Sequence, residues 1–323
     1  MLQLSKITQE LSTKLSLPVL EDSTYFPKYF EIETVNACNA RCIMCTINEW
    51  SGNDSNLMSD ELFDKFVKEA ANFSDWIEIV CLNRDGEPTL DKNIANKVKK
   101  LKDVGIKTVR FVSNGQNLNE KLSRDILNAG IDEVMFSIDS IDKSTYESIR
   151  IKLDFEKVMT NTLNYIKLRN EINPLSKTTI RMVELPNNVN QKDEWLTFWN
   201  SKISKTDKAY TMPMHNWGNQ LGENQDKVNF YANKACTSPF SSMAIHSDGK
   251  VGICAADYNT KNYMGDFSTQ SIQEIWQSKN FDNVRNAHLN ANRNKYDICR
   301  GCDIWDRSYT TNLSIIKKDR DLC

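Results

Sequence analysis

Apolar positions along the chain switch period repeatedly, from two residues to about 3.6 and back. Residues 30–35 read as a short apolar strand. Ser59 then offers an N-cap, and Asp60 and Glu61 fall in the first turn, where the helix dipole favours them. Leu62, Phe63, Phe66, Val67 and Ala70 continue at helical spacing. The same alternation recurs downstream. Strand patterns fall at 76–82, 108–112, 134–138, 178–183 and 209–214. Helical patterns lie between and after them: Ile94, Val98 and Leu101, stopping near Gly105; Leu122, Ile126 and Leu127, stopping near Gly130; one helix through Val158, Met159, Leu163 and Ile166; and one around 195–199. Repeated strand-then-helix units imply a parallel α/β sheet, with its chemistry at the carboxyl ends of the strands. Further on the pattern changes. His246-Ser247-Asp248-Gly249-Lys250-Val251 reads as a β-hairpin turn, and the capping box Ser271-Ile272-Gln273-Glu274 opens another helix.

Length and composition narrow the class. The 323 residues suffice for two domains. The divisions expected are an N-terminal extension (1–28), the strand–helix repeat (29–220) and a smaller C-terminal domain (230–323). A formal net charge of −2, with both signs mixed along the chain, gives no dedicated nucleic-acid or polybasic membrane surface. No apolar run approaches the ~20 residues that span a bilayer. Residues 1–31 mix polar and apolar positions and contain no secretory apolar core. The nine cysteines are an odd number grouped at metal-ligand spacings, which fits a reduced cytoplasmic protein better than a disulfide framework.

Cys38, Cys42 and Cys45 stand in a CxxxCxxC run. Three thiolates on one loop can hold three irons of a [4Fe–4S] cube and leave the fourth open, whereas a closed cluster takes four cysteines. Zinc prefers four ligands, usually paired at CxxC, and is the weaker reading. A second set follows: Cys236, Cys254, Cys299 and Cys302, the last two as CxxC. Four cysteines can close around zinc or around a [4Fe–4S] cluster, and spacing does not separate the two. Cys81 sits in an apolar strand pattern, as a packed thiol would, and Cys323 is the last residue.

The CxxxCxxC run resembles the signature of the radical S-adenosylmethionine (SAM) enzymes. The downstream hairpin, helix and four cysteines resemble the Twitch domain, the short form of the SPASM extension of those enzymes. The resemblance implies a partial (β/α)6 TIM-type barrel followed by a small hairpin/helix Fe–S domain. It also implies SAM chelated by the open iron, one auxiliary [4Fe–4S] cluster rather than zinc, and a 5′-deoxyadenosyl radical that abstracts hydrogen.

Its motifs also map onto strand ends. Gly86 and Glu87 resemble the Gly-Gly-Glu element that receives the SAM amino group, with Asp85 in place of the first glycine. Asn114, Ser137 and Asp139 resemble polar contacts to SAM, and Arg150 a partner for its carboxylate. Within the family the chain most resembles the 2-deoxy-scyllo-inosamine dehydrogenase group. That implies oxidation of a carbinol on a sugar- or cyclitol-like molecule, and a low-potential donor such as flavodoxin or ferredoxin. Peptide modification and epimerisation are the alternatives. By position, Arg181, His215 and Asp257 are candidates for the proton-accepting base.

Overall fold

The computed structural model describes residues 2–49, 56–222 and 225–304; Cys323 lies outside them. The chain divides into two compact units. One comprises residues 32–214 with 246–248, and the other residues up to 31, 215–245 and from 249 onward.

In the first unit, five strands lie side by side and all parallel, in the order Ile79–Cys81, Thr108–Ser113, Glu133–Ser137, Lys177–Glu184 and Lys208–Pro213. They coincide with five of the expected strands to within a few residues. The remaining one, Tyr29–Ile32, straddles the division between the units. Helices Asp60–Ala71, Ile94–Asp103, Glu120–Asn128, Phe155–Ile172 and Lys192–Asn200 follow the strands in turn. The Ser59 hydroxyl caps the first of these, accepting the Leu62 N–H at 3.1 Å. Its apolar stripe, Phe63, Phe66 and Ala70, is buried, and each phenylalanine contributes roughly 2 kcal/mol by leaving water.

The two faces of this sheet differ in chemistry. Val109, Phe111, Val134, Phe136, Ile180 and Met182 alternate onto one face and are wholly buried. The opposite face carries Arg110, Glu133, Thr179, Ser137 and Arg181. Arg110 pairs with Glu133 at 3.3 Å, and the Thr179 hydroxyl donates to Glu133 at 2.5 Å. A polar file thus runs up one side of the sheet towards its carboxyl edge.

The helix expected through Val158 and Ile166 is present as Phe155–Ile172, and a shorter helix that was not expected, Lys143–Ile149, precedes it. Asp142 and Asp154 each cap one of them through a backbone N–H, and Lys152 takes a left-handed conformation (φ 74°) between them. The segment between them leaves Arg150–Ile151 to pair antiparallel with Arg41–Cys42.

The second unit contains the antiparallel strands Ser242–Ile245, Lys250–Gly252 and Tyr263–Asp266. Gly249 (φ 90°) makes the turn between the first two. The expected capping box is present, with Ser271 and Glu274 exchanging bonds at the start of Ile272–Trp276. Helix Lys279–Leu289 follows, and its Arg285 guanidinium lies 4.4 Å from the Trp276 ring centroid. Sequence reading passed over a helix at Leu2–Leu15, whose Ile7, Leu11 and Leu15 recur every fourth residue and are buried.

Candidate active site and metal centres

The Cys38–Cys45 loop is held by its own backbone and by the segment between these two helices. Cys42 stands opposite Arg150 in the antiparallel pair, and Ile43 N–H donates to Ile149 C=O at 3.1 Å. Arg41 folds back to donate to the carbonyls of Cys38 (2.9 Å) and Ala40 (2.7 Å). The Ala40 N–H points at the Cys38 sulfur, 3.4 Å away. Burial, with Glu87 and the neighbouring thiols adding to it, pushes the Cys38 thiol up to about 12. Burial, reinforced by Cys42 and Asp85, pushes Cys45 up to about 11. Three crowded thiols, of which Cys38 and Cys45 resist ionisation alone, suit a cationic iron–sulfur core, which stabilises the thiolates together.

A pH dependence follows. Cys38 and Cys45 remain protonated throughout neutral and mildly alkaline solution, so cluster assembly on this loop must displace their protons. Iron binding at limiting iron should strengthen as pH rises from about 7 to about 9 and weaken below that range. Iron per chain measured anaerobically across the range checks this, and a flat profile would contradict it.

The strand-end residues close on this loop. Glu87 N–H donates to Ala37 C=O at 2.8 Å, and a Cβ on Gly86 would lie 2.0 Å from Val35 O and 2.8 Å from Ala37 O. Only glycine lets the chain pass so close to the backbone leading into Cys38. Gly86→Ala should therefore cost about 3 kcal/mol or more through forced backbone movement, read as a lowered melting temperature. Glu87 is buried. Its Oε1 accepts from Thr89 N–H (3.1 Å), Thr89 Oγ1 (2.6 Å) and Ser113 Oγ (2.8 Å), and its Oε2 from Asn114 N–H (2.8 Å). Burial nevertheless raises its pKa. Glu87 thus fastens the ends of two strands. The Asn114 side chain donates to Asn39 Oδ1 at 2.7 Å, one residue after Cys38.

Asp139 and Arg150 form a buried pair at 2.5 Å. The other Asp139 oxygen accepts Val183 N–H at 2.8 Å, and Arg150 Nη1 also lies 3.4 Å from the Cys42 sulfur. The two residues are thus tied to each other and to the cysteine loop. Ser137 Oγ accepts from Arg181 at 3.1 Å, and Arg181 Nε is buried with no hydrogen-bond partner. A guanidinium stays protonated in proteins, so Arg181 can orient a polar group but cannot take a proton.

Glu184, which sequence reading passed over, ends the same strand. Its Oε1 accepts Lys192 Nζ and Thr211 Oγ1, both at 2.6 Å. Burial acts to raise its pKa, but the two hydrogen bonds and the Lys192 charge outweigh it and the net shift is downward. It is an ionised carboxylate at a strand end, where a terminal Glu looks like ordinary strand punctuation in sequence.

In the second unit, Cys236, Cys254, Cys299 and Cys302 all have raised pKa values, with burial the main cause. Cys236 is pushed up to about 12, and Cys254 feels the other three directly. Among the described residues, no three His, Cys, Asp or Glu side chains converge tightly enough for a single metal ion.

Asp257 is fully buried, and its oxygens accept Lys261 N–H and Asn262 N–H, both at 2.9 Å. It shapes the chain after Cys254. His215 Nδ1 accepts Trp217 N–H at 3.3 Å, and the two rings meet edge to face at 4.8 Å. That tautomer puts the proton of the neutral ring on Nε2. The structure therefore brings together Glu87, Asn114 and the Cys38 loop, and Asp139, Arg150 and Cys42. It does not gather Arg181, His215 and Asp257 within one unit.

Comparison with known proteins agrees with this architecture. The radical SAM superfamily model matches residues 32–194, just over half the chain, and the SPASM iron–sulfur cluster-binding domain matches residues 236–303. The chain belongs to the radical SAM superfamily and carries a SPASM domain. Its cofactors are accordingly a [4Fe–4S] cluster with SAM, and an auxiliary Fe–S cluster. Among curated relatives, a probable GTP 3′,8-cyclase of Sulfurisphaera tokodaii is 28% identical over 193 residues, 60% of this chain and 57% of that protein. The chain spans only 31% to 57% of the first three curated relatives it matches. Among solved structures, BtrN in complex with AdoMet and 2-DOIA is 19% identical with a TM-score of 0.58, covering 91% of this chain and 96% of that one. Streptococcus suis SuiB bound to precursor peptide SuiA is 13% identical with a TM-score of 0.59, covering 82% and 69%. These likenesses are of fold. Among the described residues no helix is long and apolar enough to cross a membrane.

Proposed function

We propose that this protein is a radical SAM oxidoreductase that oxidises a carbinol on a small sugar- or cyclitol-like molecule. Cys38, Cys42 and Cys45 hold the first cluster, leaving one iron for SAM. Cys236, Cys254, Cys299 and Cys302 hold the auxiliary [4Fe–4S] cluster. Together the bound cofactors supply a hydrogen-abstracting radical and an electron acceptor. The observation that supports the reading is the second cysteine set: its four thiols lie in one compact unit, all have raised pKa values, and Cys254 feels the other three, as four ligands of one closed, electron-accepting cluster would.

The chain's own residues have distinct parts. Glu87, Asn114 and Gly86 fix the cysteine loop against the strand ends, and Arg150 secures Cys42. Arg181, held by Ser137, offers its unpartnered Nε to a substrate oxygen. Glu184 is the better candidate to receive the hydroxyl proton, since Oε2 remains available. In balance, the carbinol loses one hydrogen atom from carbon, one proton from oxygen and one electron to the acceptor, giving a ketone. A low-potential donor of the flavodoxin or ferredoxin type supplies the starting electron.

Cyclisation, epimerisation and peptide modification are the competing outcomes, the first suggested by the curated relatives and the last by SuiB. An epimerase needs a hydrogen donor such as a thiol. Cys81 is buried in its strand, and its thiol lies 3.3 Å from Asn83 Oδ1, which suits packing.

Anaerobic turnover of candidate cyclitols, sugars and peptides, scored by mass, tests the proposal. A product two mass units lighter supports oxidation, whereas a product of unchanged mass in ordinary water that gains one mass unit in deuterated solvent replaces it by epimerisation. Cys81→Ala should keep its turnover and lose about 1 kcal/mol of stability.

A further inference from the structure

Arg293 is among the largest fully buried side chains of the protein, although it carries a full charge. A buried guanidinium costs several kcal/mol unless its donors are met and its charge is balanced. Its donors are met by carbonyls of the cysteine-bearing segments. Nε donates to Cys299 C=O at 2.9 Å, Nη2 to Cys302 C=O at 3.0 Å, and Nη1 to Lys234 C=O at 3.2 Å. Two of these carbonyls belong to ligand cysteines, and the third lies two residues before Cys236. One planar fork therefore ties together two segments separated by more than sixty residues. From the other side, His288 fixes Cys236, its Nδ1 accepting the Cys236 N–H at 3.1 Å. Arg293 thus brings a fixed positive charge to the segments that carry Cys236, Cys299 and Cys302.

We propose that Arg293 is a positioning residue of the auxiliary cluster. Its guanidinium holds the Cys236 and Cys299–Cys302 segments at the cluster's span, and its charge raises the cluster's reduction potential. The first effect is geometric. With the fork removed, the three carbonyls lose their common donor and the segments can part. The second is electrostatic. A closed four-cysteine cluster carries net negative charge that grows by one on reduction, and a buried cation stabilises the more negative state. An upward shift makes the cluster a better acceptor of a substrate electron. The inference rests on these four cysteines holding an Fe–S cluster.

The test uses full-length protein, reconstituted anaerobically, as wild type, Arg293→Lys and Arg293→Met. Iron content, loss of iron to a chelator, and the potential of each cluster by EPR-monitored titration are the readouts. Arg293→Lys keeps the charge and loses the fork. It should hold both clusters, with a potential near wild type, and release auxiliary iron about tenfold faster. Arg293→Met should lose the auxiliary cluster outright or retain it at a more negative potential, while the first cluster is unchanged in both variants. Arg293→Lys with wild-type iron retention overturns the positioning role, including where Arg293→Met fails to accumulate. Arg293→Met with wild-type iron retention and potential overturns both parts. Wild-type protein with only about four irons would instead remove the second cluster itself, a separate failure.

Discussion

Replacing Cys38, Cys42 and Cys45 together with alanine is expected to abolish 5′-deoxyadenosine formation, a loss of about three orders of magnitude or more. The three sulfurs sit on one loop, and no other cysteine of the first unit can substitute, since Cys81 is buried within a strand. The loop itself should survive. Its Arg41–Cys42 pairing with Arg150–Ile151 is made by backbone and Arg41 donates to backbone carbonyls, so these survive while the Ala40 N–H and Arg150 contacts to sulfur are lost. Iron analysis of the triple variant should fall from about eight to about four per chain. Continued SAM cleavage by a folded triple variant lacking the first cluster would contradict the assignment of these cysteines.

Replacing Cys299 and Cys302 should give the opposite pattern. Product formation is lost while SAM cleavage persists, because the first cluster and its loop lie in the other compact unit. The substrate radical then has no acceptor for its remaining electron and is quenched without oxidation. Measuring 5′-deoxyadenosine and ketone in the same reaction separates the two steps. If the double variant makes product at the wild-type ratio to 5′-deoxyadenosine, the auxiliary cluster is not the acceptor. Glu184→Gln adds a finer cut: it should slow ketone formation more than SAM cleavage if this carboxylate receives the hydroxyl proton.

Most of the parallel sheet was legible because each strand and helix announces itself over a few consecutive residues. Period-two and period-3.6 patterns are local, and so are the Ser59 cap and the Ser271–Glu274 box. The helix Lys143–Ile149 was missed because it is short and buries only Tyr146 and Ile149. Two aspartate caps and a left-handed Lys152 separate it from Phe155–Ile172. The three proposed bases were chosen by position along the chain. Position does not reveal that Asp257 spends both oxygens on backbone amides, or that His215 already accepts a bond at Nδ1.

By itself, then, the sequence determined the order of strands and helices, the two cysteine sets and the glycine at position 86, because cysteine spacing and backbone tolerance are properties of short segments. The tertiary structure alone decided which charges meet. Arg150 joins Asp139 to Cys42, Glu87 binds Ser113 and Asn114, and Arg293 gathers carbonyls near three of the auxiliary cysteines. In sequence Arg293 looks like an ordinary surface charge, and the motifs that single out Glu87, Asp139 and Arg150 do not show these partners. Only burial, which makes an unpaired charge costly, forces each to find its particular partner across long stretches of chain.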